Sequence, residues 1–226
     1  MWRSALATAA LVTALLPGST LAGGKVSGVV KFADDYPRPE KIKTTQDFEV
    51  CGLKIPDETF VVSPDSKGLK NAVITIVGAA GDPQPLAASI HQKGCAYGPR
   101  VQIARPDDEI EFVNEDPLLH NVHAYEDDAT LFNMAHPKYR KVIKQKLGKA
   151  GVVEVKCDVH PWMTAYVFVT DDPFVTLTDE NGRFAFDNVP AGTYTVRLWH
   201  EALGTSEKQV TVADDGTATI DFTIGE

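Results

Sequence analysis

Short segments in which apolar and polar residues alternate, or in which β-branched apolar residues run together, fill most of this chain. Gly, Pro, Asn and Asp bound these segments, and turn signals recur at Asp107-Asp108, Asn181-Gly182 and Pro190-Ala191-Gly192. A period of two is the pattern of a β-strand, and turn residues at such spacing are typical of sandwiches and barrels. The sequence therefore predicts an all-β protein. The clearest segments are 25–32, 71–77, 100–104, 109–114, 151–157, 165–170, 183–186 and 193–199.

One stretch departs from this pattern. Residues 129–147 contain Phe132, Met134, Tyr139 and a basic cluster from Lys138 to Lys146 without clean alternation. We expect a short helical turn or a long loop there, and a solvated basic face rather than a docking site.

The beginning of the chain has the order of a secretory signal peptide. A positive charge at Arg3 precedes an apolar run from Ala5 to Leu16, and small residues follow as far as Ala22. The run has about 12 residues, whereas a membrane span needs roughly 20. We therefore expect cleavage after Ala22 and a periplasmic or extracellular protein with no membrane span.

The charge balance is acidic. The net charge is −9, and it becomes −10 without Arg3, since 21 basic residues then face 31 acidic ones. Nucleic-acid binding depends on Lys and Arg at phosphates, so this balance argues against it. The charge favours no particular protein partner strongly and does not reveal the oligomeric state.

Three cysteines in an exported protein leave one over after a pair has formed. Cys51 and Cys95 have no His or Met at ligand spacing, whereas His160 and Met163 follow Cys157 closely. The simplest interpretation is a Cys51–Cys95 disulfide and a Cys157 thiol kept for chemistry.

The segment around Cys157 is typical of a metal site. Alternation places Val153, Val155 and Cys157 on one face of a strand that ends by delivering the thiol to the interior. His160 and Met163 follow in the next loop, and His120 can supply a second imidazole. Two His, one thiolate and a weak axial Met make the type 1 copper set, because soft sulfur donors hold Cu(I) and imidazoles serve both oxidation states.

His123 is the competing histidine. In an extended strand, His120 and the apolar Val122 share one face, and His123 points to the other. This favours His120 as the ligand.

The pattern Cys157-x-x-His160-x-x-Met163, preceded by His120-Asn121-Val122-His123, resembles the blue-copper cupredoxins with a short amicyanin-type ligand loop. The resemblance covers residues 86–170 and implies one copper ion bound by His120, Cys157, His160 and Met163. It also implies that the backbone of Asn121 supports the cysteine sulfur and that Pro161 lies beside the ligand His160. For Trp162 a packing role and a role in partner docking stay equally open.

A different resemblance covers the end of the chain. The hairpin Asp179-Glu180-Asn181-Gly182-Arg183-Phe184 and the turn Val189-Pro190-Ala191-Gly192-Thr193-Tyr194 resemble carboxypeptidase regulatory-like β-sandwich modules. Residues 25–31 and 68–77 resemble the opening strands of the same module. We therefore expect residues 23–82 and 173–226 to form this sandwich, with a Greek-key cupredoxin domain, 83–172, inserted and the Cys51–Cys95 bridge tying the two together.

These features favour single-electron transfer between redox proteins outside the cytoplasm. Copper storage or delivery by the same ligands is the alternative, and a non-metal adhesion or sugar-binding sandwich is a third class that the complete donor set disfavours. We expect no enzyme activity, because Met163 leaves no obvious open position on the metal. Met134 and His136 could belong to a second copper site, but two residues do not make a motif.

Overall fold

A computed structural model of the protein describes residues 23–33 and 41–225, so the expected signal peptide, residues 1–22, lies outside the described residues. Strands dominate, and the helix α1 (Phe48–Cys51) has a single turn. The strands are β1 (Gly24–Phe32), β2 (Ile42–Lys43), β3 (Lys54–Ile55), β4 (Val73–Val77), β5 (Ser89–Lys93), β6 (Ala96–Gly98), β7 (Val101–Ala104), β8 (Glu109–Asn114), β9 (His120–Glu126), β10 (Ala129–His136), β11 (Val142–Lys146), β12 (Gly151–Lys156), β13 (Thr164–Val169), β14 (Val175–Leu177), β15 (Arg183–Val189), β16 (Gly192–His200), β17 (Gly204–Val212), β18 (Thr217–Thr219) and β19 (Phe222–Ile224).

Two sheets made from the middle of the chain enclose one hydrophobic core, which we call the site core. One sheet has the strand order β10-β9-β12-β13-β7 and the other has the order β11-β8-β5-β6. Their inward residues, such as Phe112, Val122 and Val155, are fully buried, because alternation along each strand sends every second side chain to this face. The middle strands of the chain therefore build one sandwich among themselves.

Strands from both ends of the described chain enclose a second hydrophobic core, which we call the distal core. One sheet has the order β14-β4-β16-β17, and in the other β1 pairs with β15, β18 and β19. The core contains Val26, Ile76, Leu198 and Phe222. Residues 25–31 thus pair with the C-terminal strands, as the insertion hypothesis requires, while the domain boundaries at 82/83 and 172/173 stay predictions.

The disulfide differs from its expected place. Cys51 and Cys95 are bonded, as predicted, but both side chains belong to the site core. The bridge therefore ties α1 to the site core rather than one sandwich to the other, because the segment around α1 packs against the middle strands.

A largely buried ion pair joins the two sandwiches instead. Arg100, which precedes β7, donates from Nε and a terminal nitrogen to the two oxygens of Glu201, at 2.8 and 2.6 Å. Arg100 also donates to the Thr164 carbonyl oxygen, at 3.2 Å. This fork links the strand after Met163 to the end of β16.

The expectation for residues 129–147 is wrong. The stretch forms β10 and β11, with the loop 137–141 between them. An irregular register between Thr130 and Phe132, and the position of β10 at the edge of its sheet, blur the alternation that would have revealed it. Of the basic residues, Lys144 pairs with Glu109 and Glu111 across the sheet.

In the part of the chain that the structure describes, we find no helix with the length and hydropathy that crossing a membrane requires.

Candidate metal centre

Three buried donor atoms converge at one end of the site core. The ring Nδ1 atoms of His120 and His160 are 2.9 Å apart, and the Cys157 Sγ atom lies 4.0 Å from the first and 3.9 Å from the second. The side chains of both histidines are fully buried, and Cys157 is 1% exposed. Three donors of this chemistry aimed at one point are what a metal site requires.

The strand order explains this convergence. Strand β12 pairs with β9, and Lys156 lies opposite His123, so the end of β12 comes close to the beginning of β9. Cys157 follows β12 directly, and His120 is the first residue of β9. His160 then lies three residues further along a loop that turns back into β13.

A carboxylate holds the outer nitrogen of each imidazole. His120 Nε2 lies 2.9 Å from an Asp116 oxygen, and His160 Nε2 lies 3.0 Å from an Asp47 oxygen. Metal-binding histidines commonly bond a carboxylate in this way, which fixes the tautomer and leaves the other nitrogen free for the metal. The contacts therefore place a lone pair on each Nδ1 when a cation binds.

The two imidazoles differ in proton affinity. Burial lowers the pKa of His120, but hydrogen bonds with Asp116 and Cys157 outweigh burial and raise the pKa to about 9. Burial lowers the pKa of His160, and Asp47 opposes this only in part. A charged His120 can therefore donate its Nδ1 proton to a neutral His160, which accounts for the 2.9 Å contact between the two nitrogens.

The thiol of Cys157 is prepared to ionise. Burial raises its pKa, but bonding to His120 and to the backbone amides of Asn121 and His160 lowers the pKa on balance. The His160 amide donates to the sulfur at 3.4 Å. A thiolate is the form that binds metal, so these contacts favour binding.

The donor set fits copper. The three strong ligands of a type 1 site are two imidazoles and one thiolate. The buried donors here have that chemistry, and a carboxylate bonds each imidazole. When bound there, a copper ion would supply a one-electron couple between Cu(I) and Cu(II).

The remaining predicted residues have different positions. Met163 is 1% exposed in the site core, and its backbone amide donates to the His160 carbonyl oxygen at 2.9 Å. Pro161 is exposed next to His160. Trp162 is partly buried against the site core and donates to the Cys95 carbonyl oxygen at 2.9 Å, which favours a packing role.

Asn121 connects the site to the outer face of β9. Its carbonyl oxygen accepts a hydrogen bond from the Tyr97 hydroxyl at 2.6 Å, and its side-chain oxygen accepts one from the Asp158 amide. The Tyr97 hydroxyl also donates to the Lys156 carbonyl oxygen at 3.1 Å, so these bonds fix the backbone on either side of Cys157. Asn121 is therefore a neighbour that holds both chain segments, in addition to its contact with the sulfur.

His123 lies on the opposite face from His120. Its ring nitrogens contact Asp158, at 2.9 Å, and the Thr130 hydroxyl, at 2.9 Å, and its side chain is 15% exposed. Strand alternation therefore separates the two histidines as the sequence indicates.

The pair Met134 and His136 does not form a recognisable second site. The Met134 sulfur accepts a hydrogen bond from Gln145 at 2.6 Å. His136 lies opposite His120 in the β9–β10 register and is fully buried. Among the described residues, His136 belongs to no group of three close His, Cys, Asp or Glu donors.

Sequence reasoning missed both carboxylates. Asp116 precedes His120 by four residues, in the loop before β9. An acidic residue this close to a candidate ligand could have predicted a carboxylate partner for the imidazole. Asp47 is 113 residues from His160 and carries no local signal.

Comparison with known families and with solved structures gives matches of two kinds. The sequence model of the carboxypeptidase regulatory-like domain matches residues 150–225, a range that includes β12 and β13 of the site core as well as the later strands. Comparison with curated proteins found no match.

The chain is also similar in structure to copper proteins. A purple cupredoxin from Nitrosopumilus maritimus is 20% identical, with a TM-score of 0.33, over 37% of this chain and 99% of that one. A reduced Cu(I) form of amicyanin, carrying a P52G mutation, is 20% identical, with a TM-score of 0.34, over 43% of this chain and 98% of that one. A copper-containing nitrite reductase from Thermus scotoductus SA-01 is 21% identical, with a TM-score of 0.31, over 42% of this chain and 25% of that one.

The chain is thus an all-β protein with cupredoxin structural neighbours and a carboxypeptidase regulatory-like match.

Proposed function

We propose that this chain is an exported electron-transfer protein that holds one copper ion through His120, Cys157 and His160, with Met163 as a weak axial ligand. The observation that carries the proposal is the convergence of the Cys157 sulfur and two imidazole Nδ1 atoms in one buried place. The role of Met163 rests on the amicyanin-type loop and on its burial in the same core.

Each protein group has a task in this function. The Cys157 thiolate supplies a soft, strongly bound donor, and the backbone amides that touch it stabilise its charge. Asp116 fixes the His120 ring, and two backbone amides, from Gly94 and Cys95, fix Asp116 at 2.7 and 2.9 Å. Such a prearranged site changes little between oxidation states, which keeps the barrier to electron transfer low.

Copper storage or delivery would use the same ligands. A delivery site must exchange its metal with a partner, and exchange is easiest where ligands are accessible. The full burial of both histidines favours electron transfer over delivery.

The test is an absorption spectrum of the copper-loaded protein and of Cys157→Ser. We expect a strong visible thiolate-to-copper band in the parent protein and its loss in the variant. Met134→Leu is the matched control outside the donor set, and it should keep the band. A protein that binds only Cu(I) and stays colourless on oxidation would support storage, and a protein without copper uptake would contradict both functions.

Export and the redox partner belong to the same proposal. We expect the mature chain to begin at Gly23 and to exchange electrons with another redox protein outside the cytoplasm. Mass spectrometry of the protein purified from the periplasm or medium tests the cleavage, and an intact N-terminus in the cytoplasm would contradict it.

A further inference from the structure

Asp47 occupies a helix N-cap without capping the helix. It immediately precedes α1, and Asp at this position normally accepts a hydrogen bond from a backbone amide in the first turn. The Asp47 side chain makes no such bond. Its carboxylate lies against His160 Nε2 at 3.0 Å instead.

The backbone of Asp47 is also unusual. Its φ is 51°, in the left-handed region that residues other than glycine adopt uncommonly, although Asp adopts it more readily than most. A residue held in such a conformation indicates that the surrounding structure requires it, and these residues concentrate at functional sites. The Asp47 side chain does not cap the helix in this conformation. The conformation instead directs the carboxylate at His160.

Two further contacts, beside that between Asp47 and His160, hold the segment 46–51 over the ligand loop. Gln46 Nε2 donates to the Val159 carbonyl oxygen at 2.6 Å, next to His160. The Cys51–Cys95 disulfide anchors the other end. The two cysteine sulfurs and a ring nitrogen of His160 all lie within 4.8 Å of one another.

This segment lies outside residues 86–170, the range of the cupredoxin resemblance. A part of the chain that precedes the copper-binding sandwich in sequence therefore covers the outer edge of one of its candidate ligands. His160 is completely buried beneath this segment, whereas the Asp47 side chain is 41% exposed.

We propose that Asp47 is a positioning residue for the metal centre. The role rests on the proposed function. Asp47 holds the His160 proton on Nε2 and so keeps the Nδ1 lone pair directed at the metal. It also lowers the reduction potential of the copper ion. The physical reason is that a carboxylate bonded to a ligand imidazole makes that ligand more basic and places negative charge near the ion. Both effects stabilise Cu(II), the more highly charged state, relative to Cu(I).

Two substitutions separate the hydrogen bond from the charge. Asp47→Asn keeps an oxygen acceptor for the His160 proton but removes the charge, whereas Asp47→Ala removes both. Glu49, an exposed carboxylate two residues further along in α1, supplies the matched controls Glu49→Gln and Glu49→Ala. Circular dichroism of each variant shows whether the sandwich is folded.

The first measurement uses the metal-free protein. Because His120 can donate to the Nδ1 atom of His160 and so fix the same tautomer, the variants are compared in a His120→Ala background. We expect nitrogen-15 NMR of the imidazoles to show His160 with its proton on Nε2 in His120→Ala and in His120→Ala/Asp47→Asn, and a mixture of tautomers in His120→Ala/Asp47→Ala. Glu49→Ala in the same background should match His120→Ala. An unchanged His160 tautomer in a folded His120→Ala/Asp47→Ala would overturn the positioning role.

The second measurement uses the copper-loaded protein. We expect the midpoint potential of Asp47→Asn to shift to a more positive value, with Glu49→Gln at the parent value. We expect Cu(II) affinity in Asp47→Ala to fall by about 10- to 100-fold, the usual consequence of losing a partner of a ligand histidine. A copper-binding parent with unchanged potential and affinity in the Asp47 variants would overturn the inference.

These outcomes are distinguishable from failure of the proposed function. If the parent takes up no copper, the proposed function is wrong and so is the effect on potential, while the tautomer measurement still decides whether Asp47 positions His160.

Discussion

The two cores of this protein place their buried polar groups very differently. Around the site core, buried polar side chains are numerous and lie largely at the end that carries the candidate metal centre, among them Asn114, Asp116, His120, Asn121 and His160. The distal core has few, and they form isolated contacts: Thr178 bonds the backbone near β4, and His200 packs on Phe60.

This difference shows which sandwich buries polar groups despite their desolvation free energy. A buried polar group costs free energy unless it is hydrogen-bonded, so a sandwich selected for packing alone avoids such groups. The site core accepts a cluster of them, and the carboxylates of Asp116 and Asp47 bond the two histidines of this cluster. The polar end therefore has the composition that the proposed metal centre requires, whereas the distal core is almost entirely apolar.

The sharpest way to break the comparison is to remove one histidine from each face of β9. We expect His120→Ala to lose the visible copper band completely, because it removes a donor atom, and His123→Ala to keep it. Absorption of the copper-loaded variants measures this. Loss of the band in the folded His123→Ala variant, with its retention in His120→Ala, would show that the buried cluster is not the metal centre.

The disulfide tests whether the site core needs more than packing. Cys51 and Cys95 are 44 residues apart, and closing a loop of that size stabilises a folded chain by about 4 kcal/mol in the chain-entropy description. We expect the double variant Cys51→Ser/Cys95→Ser to lose about that much, measured by urea unfolding of the metal-free protein. A parent protein unfolded under reducing conditions is the control and should lose a similar amount. A loss in neither sample would mean that the segment at α1 adds no stability.

A truncation in the distal core should affect stability alone. Leu198 is 1% exposed, and Leu198→Ala should lower the free energy of unfolding by about 3 kcal/mol through lost burial and a cavity. We expect the copper band of this variant to match that of the parent at a temperature where both are folded. A weakened or shifted band would show that the distal core influences the geometry of the proposed metal centre, and it would contradict a role for this core in stability alone.

The smallest expected effect is a pH dependence from the distal side. Burial, and secondarily the charge of Arg100, lowers the pKa of His200 to about 4. An unfolded histidine titrates near 6.5, so between these values the unfolded chain binds a proton that the folded chain does not. Stability from this group is complete above pH 6.5 and falls as the pH decreases towards 4.

Between pH 8 and pH 5 this amounts to about 2 kcal/mol. Urea unfolding at both pH values measures it, and His200→Asn should reduce the pH dependence by that amount. The same dependence in parent and variant would assign it to other groups.

Local patterns in the sequence were enough for much of the fold. Alternation predicted eight segments, and seven of them lie within two residues of an observed strand at both ends, because a period of two directly reflects which side chains face a core. It failed at β10, where an edge position and an irregular register leave both faces partly exposed. The cysteine count identified the disulfide pair, and alternation also placed His120 inward and His123 outward.

By itself the sequence determined the all-β character, because strand alternation is a local pattern. It also determined the Cys51–Cys95 pairing, because Cys157 alone of the three cysteines has His and Met close behind it and the other two are left to pair. Only the tertiary structure decided that Asp47 bonds His160 and that Arg100 bonds Glu201. The first pair is 113 residues apart and the second 101, and contacts at such distances leave no periodicity or spacing in the sequence. They arise from how α1 and the strands pack together, which is also why the segment over the candidate metal centre could not be predicted.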